Sequence, residues 1–199
     1  MNKTGQTEIF GGKTLKEKVL HPNALTFYRI VAIPGLILLM QWPNRVCSLL
    51  AGLLFSAAAI TDYLDGWYAR KLGLVSNFGK IMDPLADKLL VSSALIMLAT
   101  HGRVAAWVVC VIIGREIAVT GLRNFIAEQR LDLSASDLGK YKTGFQIAAI
   151  IPLLIHYNFL GLDAHAIGTF FIWCALFYTV WSGVDYFYRF REVFNPTVS

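Results

Sequence analysis

The chain has 199 residues, of which 56% are hydrophobic and 16% are charged, and its formal net charge at pH 7 is +5. Soluble domains average about 45–50% apolar and about 25% charged residues, so this composition excludes a disordered chain and argues against an ordinary soluble enzyme. With a mean hydropathy of +0.54, it predicts a protein that crosses a membrane several times, and we expect no nucleic-acid partner.

The two ends of the chain are predicted to flank the membrane domain. Residues 1–20 lack the apolar core of a cleavable signal peptide, and three glycines favour a flexible start. Within them, residues 14–20 fit a short amphipathic helix on the membrane surface, with a disordered tail as the alternative. We therefore expect an N-terminal extension over 1–20, a membrane domain over 21–190 and a C-terminal tail over 191–199.

Six apolar segments follow in chain order, and each is predicted to be a transmembrane helix. At roughly 1.5 Å per residue, each reaches most or all of the way across a bilayer core of about 30 Å. The runs are too long and continuous for the strands of a membrane barrel, which leaves helices. The predicted spans are 25–42, 46–68, 84–100, 104–127, 143–162 and 166–188.

The basic residues predict the orientation of these spans. An even number of spans places both termini on one side of the membrane. Of the 18 Lys and Arg residues, only Arg45 and Arg103 fall on the other side. Because Lys and Arg accumulate on the cytoplasmic side, both termini are predicted to be cytoplasmic.

Three of the predicted spans carry charged residues at their cytoplasmic ends. Ionisable groups in hydrocarbon are costly, so they are expected to face a wet cavity. The sequence therefore predicts a polar cavity that opens to the cytoplasm and is walled by at least three helices. The charged residues are Asp62, Asp65, Asp83, Asp87, Lys88, Arg115, Glu116 and Arg123.

The spacing of the four aspartates predicts two carboxylate pairs. Asp62 and Asp65 are three residues apart, and Asp83 and Asp87 are four apart, so each pair shares a face of a regular helix. Pro84 leaves open that Asp83 caps the third helix instead. Two charges about 4 Å apart repel by on the order of 4 kcal/mol at an effective dielectric of 20. Protonation would relieve this repulsion. Divalent cations would relieve it as well, and clustered oxygen ligands suit Mg²⁺ or Mn²⁺.

At these aspartates the sequence resembles a known family. Residues 62–87 read DYLDGWYARKLGLVSNFGKIMDPLAD, which is similar to the CDP-alcohol phosphotransferase signature D-x2-D-G-x2-A-R-x8-G-x3-D-x3-D. That family transfers a phosphatidyl or similar group from a CDP-linked donor to an alcohol and releases CMP. The resemblance implies six transmembrane helices, a homodimer and a bacterial plasma membrane, with a mitochondrial inner membrane as the alternative.

The resemblance also implies roles for individual residues. Asp62, Asp65 and Asp83 would hold one metal ion, and Asp62, Asp83 and Asp87 would hold a second. The ions would be Mg²⁺, with Mn²⁺ as the alternative. Asp87 would also take the proton from the acceptor hydroxyl. Asn23 has a second interpretation, as the cap of the first helix. The implied contacts to CDP-diacylglycerol are Asn23, Thr26, Gly66, Ala69, Arg70, Ser76 and Gly79.

Further stretches resemble family members that use glycerol 3-phosphate as the acceptor and make phosphatidylglycerophosphate. They are LTFYRIVAIP from residue 25, GREIAVTGLR from residue 114 and GKYKTGFQ from residue 139. Four cations in them, Arg115, Arg123, Lys140 and Lys142, are predicted to clamp the acceptor phosphate. Membrane anchoring is the alternative for the two lysines. Glu116 is expected to pair with one of these cations and not to bind metal.

The sequence is also compatible with two other functions. The first is the same chemistry with another acceptor, notably phosphatidylglycerol, which would give cardiolipin; a phosphodiester acceptor needs less positive charge than these four cations supply. The second is a small membrane transporter, because buried aspartates also mark transport pathways. The chain shows no sign of the inverted repeats that many transporters carry.

Overall fold

The structure is a computed structural model that describes residues 22–42, 44–72, 77–128, 138–158 and 161–189. Side chains are described within 27–42, 44–61, 82–126, 142–158 and 161–188. In this part of the chain the regular elements are six α-helices, as the hydropathy pattern predicts. They are α1 (Pro22–Gln41), α2 (Arg45–Leu72), α3 (Asn77–Thr100), α4 (Ala106–Glu128), α5 (Leu138–Ile155) and α6 (Ala164–Arg189).

Five of the six described helices begin earlier than the sequence predicts, and α1 and α3 show what this changes. Helix α1 begins at Pro22, where proline suits the first helical position because its missing N–H has no partner there anyway. Asn23 therefore lies inside the first turn, and its interpretation as the helix cap is wrong. Helix α3 begins at Asn77 and contains Pro84, so Asp83 does not cap it either. The helix runs through the proline at the loss of one backbone hydrogen bond.

Helix α5 ends earlier than predicted, at Ile155 instead of residue 162. The next residue, His156, has a φ of 62°, and a residue in this left-handed region commonly ends a helix. The predicted extensions 1–20 and 191–199 lie outside the described residues.

Helices α3 and α5 occupy the middle of the bundle. Helix α5 packs against α2, α3 and α6, while α3 also packs against α1 and α4. The contact of α5 with α6 is close: a Cβ atom added to Gly168 would lie 2.5 Å from Cγ of Leu153. Small residues at helix crossings allow such close approach.

One end of the bundle is closed by Arg103, which is 8% exposed and lies between α3 and α4. Its guanidinium donates hydrogen bonds to the carbonyl oxygens of Leu153, at 3.1 Å, and Leu154, at 2.7 Å, and to Oγ of Ser48, at 3.2 Å. Carbonyls in the last turn of a helix have no partner within it. Arg103 satisfies two of them in α5 and ties that helix to the start of α2.

The outer surface of the described part is rich in large apolar side chains, among them Phe27, Ile117, Phe170 and Trp181. Among the described residues, one helix is long and apolar enough to cross a membrane on its own, over Ala164–Tyr188. Three shorter apolar stretches are Phe27–Gln41, Arg45–Thr61 and Lys142–Ile155. These features suggest a membrane protein, while the number of spans stays a prediction.

Candidate active site

A cavity of about 390 Å³ lies between α3, α4, α5 and the end of α6. Its inner wall is apolar, with Val91, Leu95, Ile112 and Ile113. The rest of the lining is strongly polar and includes four cations. The polar residues are Asp87, Lys88, Ser92, Arg115, Glu116, Thr120, Arg123, Lys142, Thr143 and Gln146.

Arg115 on α4 is held by two neighbours. It donates a hydrogen bond to Oγ of Ser182 on α6, at 2.8 Å, and one to Oε1 of Glu116, at 3.4 Å. A Cβ atom added to Gly183 would lie 3.2 Å from Cγ of Arg115, so the glycine leaves room for the arginine stem. Arg115 is thus fixed in the cavity wall by α6 as well as by its own helix.

Glu116 joins two of the cations that the sequence singles out. Its Oε1 atom accepts a hydrogen bond from Nζ of Lys142 on α5 in addition to the one from Arg115. The side chains of Lys142 and Glu116 are 8% and 21% exposed, so the pair is largely withdrawn from water. The prediction that Glu116 pairs with a cation is confirmed.

Lys88 is a fourth cation in the cavity that the sequence analysis did not assign to the phosphate clamp. Its Nζ atom donates to Oγ1 of Thr120 on α4, at 2.6 Å, and that hydroxyl donates to the carbonyl oxygen of Glu116, at 2.6 Å. Its position next to Asp87, inside a predicted span, was the available signal. The hydrogen bond between Lys88 on α3 and Thr120 on α4 could not be predicted from the sequence of either helix alone.

The aspartates of α3 take different positions. Asp87 lines the cavity. Asp83 is 41% exposed, and its Oδ1 atom lies 3.9 Å from Nη2 of Arg29 on α1, which is 2% exposed. Arg29 was also not assigned a role from the sequence, although it interrupts the apolar run of α1.

Of the predicted phosphate clamp, the structure brings Arg115, Arg123 and Lys142 to one cavity. Arg123 is exposed, and its guanidinium lies over the ring of Tyr186 at 5.8 Å. Lys140 lies in α5, but its side chain is outside the described part of the chain. The same holds for Asn23 and Thr26 in α1, Asp62, Asp65, Gly66, Ala69 and Arg70 in α2, and Gly79 in α3; Ser76 is outside it altogether.

The predicted metal site is only partly described. Among the side chains that the structure describes, no three His, Cys, Asp or Glu residues lie close enough to hold a metal ion. Asp83 and Asp87 stand one turn apart on a continuous α3, and carboxylate oxygens are the ligands that Mg²⁺ and Mn²⁺ prefer. The donor chemistry of this face of α3 therefore fits such ions.

A helical bundle with an apolar exterior and a cavity of converging charges indicates a helical membrane enzyme. The sequence model of the CDP-alcohol phosphatidyltransferase family matches residues 19–181. The chain belongs to this family, whose members are generally dependent on divalent metal ions.

Several curated relatives are similar over nearly their whole length. A protein of Bacillus subtilis is 45% identical over 88% of this chain and 97% of its own. One of Rickettsia bellii is 40% identical over 87% and 96%, and one of Salmonella choleraesuis is 35% identical over 83% and 91%. Each is named CDP-diacylglycerol–glycerol-3-phosphate 3-phosphatidyltransferase.

Proposed function

We propose that this protein transfers the phosphatidyl group of CDP-diacylglycerol to glycerol 3-phosphate, giving phosphatidylglycerophosphate and CMP. The observation that carries the proposal is the convergence of Arg115, Lys142 and Asp87 on one cavity. It supplies cations for a phosphate and a carboxylate for a hydroxyl in the same space. The names of relatives at 35–45% identity support this reaction.

In the proposed reaction, Asp87 takes the proton from the primary hydroxyl of glycerol 3-phosphate. The hydroxyl oxygen forms a bond to the β-phosphorus of CDP-diacylglycerol. The bond from that phosphorus to the bridging oxygen breaks, and CMP leaves with the electron pair. A positioned carboxylate is one of the side chains that act as general bases, and such bases contribute about 10²–10⁴-fold to a reaction rate.

Recognition of the acceptor is assigned to the cations of the cavity. Glycerol 3-phosphate carries close to two negative charges, and guanidinium groups bind phosphate through paired hydrogen bonds. Arg115, Arg123 and Lys142 provide three positive charges around one space, and Lys140 lies half a turn before Lys142. Since Glu116 balances one of these charges, the cluster keeps a net positive charge for the phosphate.

We assign the donor and the metal ions to the α2–α3 side of the cavity. Asp62, Asp65, Asp83 and Asp87 would hold two Mg²⁺ ions, with Mn²⁺ as the alternative, which would offset the charge of the diphosphate. Helix α2 ends at Leu72, and α3, the next helix in the chain, begins at Asn77. At about 1.5 Å per residue, Asp65 and Asp83 then lie about 10 Å from that junction on their helices. Asn23, Thr26, Gly66, Ala69, Arg70, Ser76 and Gly79 would contact CDP-diacylglycerol.

The proposed setting is a bacterial plasma membrane crossed by all six helices, with both termini in the cytoplasm and a homodimer as the assembled form. The distribution of charge supports this orientation. Arg103 lies at one end of the bundle, whereas the carboxylates and the other cations of the cavity lie toward the opposite end. The cavity would then open to the cytoplasm, where glycerol 3-phosphate is dissolved.

The test is CMP release by purified protein in detergent, given CDP-diacylglycerol, Mg²⁺ and one acceptor at a time. We expect release with glycerol 3-phosphate and its loss on adding EDTA. Release with phosphatidylglycerol alone would show a cardiolipin-forming enzyme and overturn the phosphate clamp. No release with any alcohol, from protein shown to be folded, would overturn the transferase and favour a transporter.

A further inference from the structure

Gln146 on α5 is a polar side chain of the cavity that the phosphate clamp does not use. It is 3% exposed and lines the same space as Asp87, Arg115 and Lys142. Its Nε2 atom is buried and has no hydrogen-bond partner among the residues that the structure describes. Buried polar groups almost always have a partner, so an unpaired Nε2 donor in a cavity wall points to a ligand.

The position of Gln146 places it beside the clamp. It lies four residues after Lys142, so the two side chains share a face of α5, about one turn apart. Side chains of a helix lean toward its N-terminus, which directs Gln146 back toward Lys142. Both side chains line the same cavity, so a molecule bound to the cations would lie against the face of α5 that carries Gln146.

The chemistry of a carboxamide indicates which part of the acceptor it meets. The phosphate only accepts hydrogen bonds, and Arg115, Arg123 and Lys142 already offer it charged donors. A hydroxyl both donates and accepts hydrogen bonds. A carboxamide can form either bond with it, because it carries an N–H donor and a C=O acceptor. The secondary hydroxyl lies between the attacking hydroxyl, near Asp87, and the phosphate.

We infer that Gln146 hydrogen-bonds the secondary hydroxyl of glycerol 3-phosphate and selects this acceptor over phosphorylated alcohols that lack it. This inference rests on the proposed function and adds to it a residue that determines specificity. A site built to bond a hydroxyl discriminates strongly against an analogue without one, because its own buried polar group is then left unpaired.

The test compares glycerol 3-phosphate with 3-hydroxypropyl phosphate, which keeps the primary hydroxyl and the phosphate and lacks the secondary hydroxyl. We expect the unaltered protein to favour glycerol 3-phosphate by about tenfold or more in kcat/KM. In Gln146→Met, which keeps the length of the side chain, we expect kcat/KM to fall about tenfold for glycerol 3-phosphate. Activity with 3-hydroxypropyl phosphate should change by less than about twofold, which also shows that the variant is folded.

Thr179→Val is the matched control. Thr179 is likewise buried, and its Oγ1 atom has no partner within the described residues, but it does not line the cavity. This variant should keep the full preference for glycerol 3-phosphate. A loss of preference in both variants would show a general effect of core polarity and overturn the inference.

The remaining outcomes are also decisive. Equal losses with both acceptors in Gln146→Met, or no loss with either, would overturn the role in hydroxyl recognition. So would an unaltered protein that uses both acceptors equally well. If the unaltered protein releases no CMP with either acceptor, the proposed function fails, and that result is distinct from a failure of selectivity alone.

Discussion

Lys142 on α5 donates a hydrogen bond to the same Glu116 oxygen that accepts one from Arg115. One carboxylate thus holds two cations from two helices at the wall of a single cavity. Without it, two positive charges would face each other in a partly dry space. This arrangement keeps the cations in place before any phosphate arrives, which reduces the ordering that binding requires.

The first prediction concerns this shared carboxylate. We expect Glu116→Gln to lower the free energy of unfolding by about 1–3 kcal/mol, because it leaves Lys142 and Arg115 without a counter-charge. Thermal unfolding in detergent measures the effect. The double variant Glu116→Gln, Lys142→Met should be destabilised by less than the sum of the two single variants. Additive effects would contradict the coupling.

The second prediction tests the proposed base. We expect Asp87→Asn to lower kcat by about 10²-fold or more, since the amide cannot take a proton. Thermal unfolding should show that the variant is folded. Asp163→Asn is the control: this exposed residue accepts a hydrogen bond from the backbone N–H of Ala166, at 3.1 Å, away from the cavity, and should leave kcat unchanged. Near-normal turnover of the Asp87 variant would disprove the assignment.

The third prediction separates charge from geometry at Arg115. Arg115→Lys keeps the positive charge and loses the fork that reaches Ser182 and Glu116. We expect KM for glycerol 3-phosphate to rise about tenfold, because a lysine cannot reproduce two-point binding. KM for CDP-diacylglycerol should stay within about twofold, since that substrate is assigned to another part of the site. A matching rise in both constants would indicate general damage to the cavity.

The fourth prediction addresses the metal ions. EDTA should abolish CMP release, and Mg²⁺ or Mn²⁺ should restore it. In Asp83→Asn, the loss of one carboxylate should raise the Mg²⁺ concentration that gives half-maximal activity by about tenfold or more. Titrating the metal at saturating substrate measures this shift. An unchanged Mg²⁺ requirement would remove Asp83 from the set of ligands.

The fifth prediction concerns the closed end of the bundle. Arg103→Ala leaves two carbonyls of α5 and the hydroxyl of Ser48 without their charged donor. We expect a loss of about 2–4 kcal/mol in the free energy of unfolding, with substrate KM values unchanged. Arg45→Ala is the comparison, because Arg45 is exposed and its guanidinium lies over the ring of Tyr157, at 5.3 Å. It should cost about 1 kcal/mol or less. Similar losses of stability in both variants would contradict the role of the Arg103 hydrogen bonds.

The number and order of the described helices could be predicted from the sequence, because long apolar segments of this kind form helices. The helix ends were less accessible. Pro84 suggested a boundary, yet α3 begins at Asn77 and runs through it, since one missing backbone hydrogen bond does not outweigh the packing of a long helix. The end of α5 depends on the φ of His156, which local composition does not reveal.

The site was partly predictable for a similar reason. A charge that interrupts an apolar run must face something polar, which identified Arg115, Glu116 and Asp87 as members of one cavity. The partners on other helices were not predictable, because they depend on how helices pack. The bond from Lys88 to Thr120 joins α3 to α4. The place of Gln146 in the wall depends on the packing of α5 against α3.

The buried apolar residues between the Arg103 end of the bundle and the cavity affect how a membrane voltage would be distributed across the protein. Leu98, Ile150 and Leu153 are fully buried in one apolar cluster, on the Arg103 side of the cavity. In a membrane, a voltage falls mainly across the dry part of a protein, and moving one charge through 100 mV is worth about 2.3 kcal/mol. This layer would take most of the voltage and block proton leakage. In the proposed orientation, the cavity would then stay near the cytoplasmic potential, so the charges that move during the reaction would do little work against the membrane field.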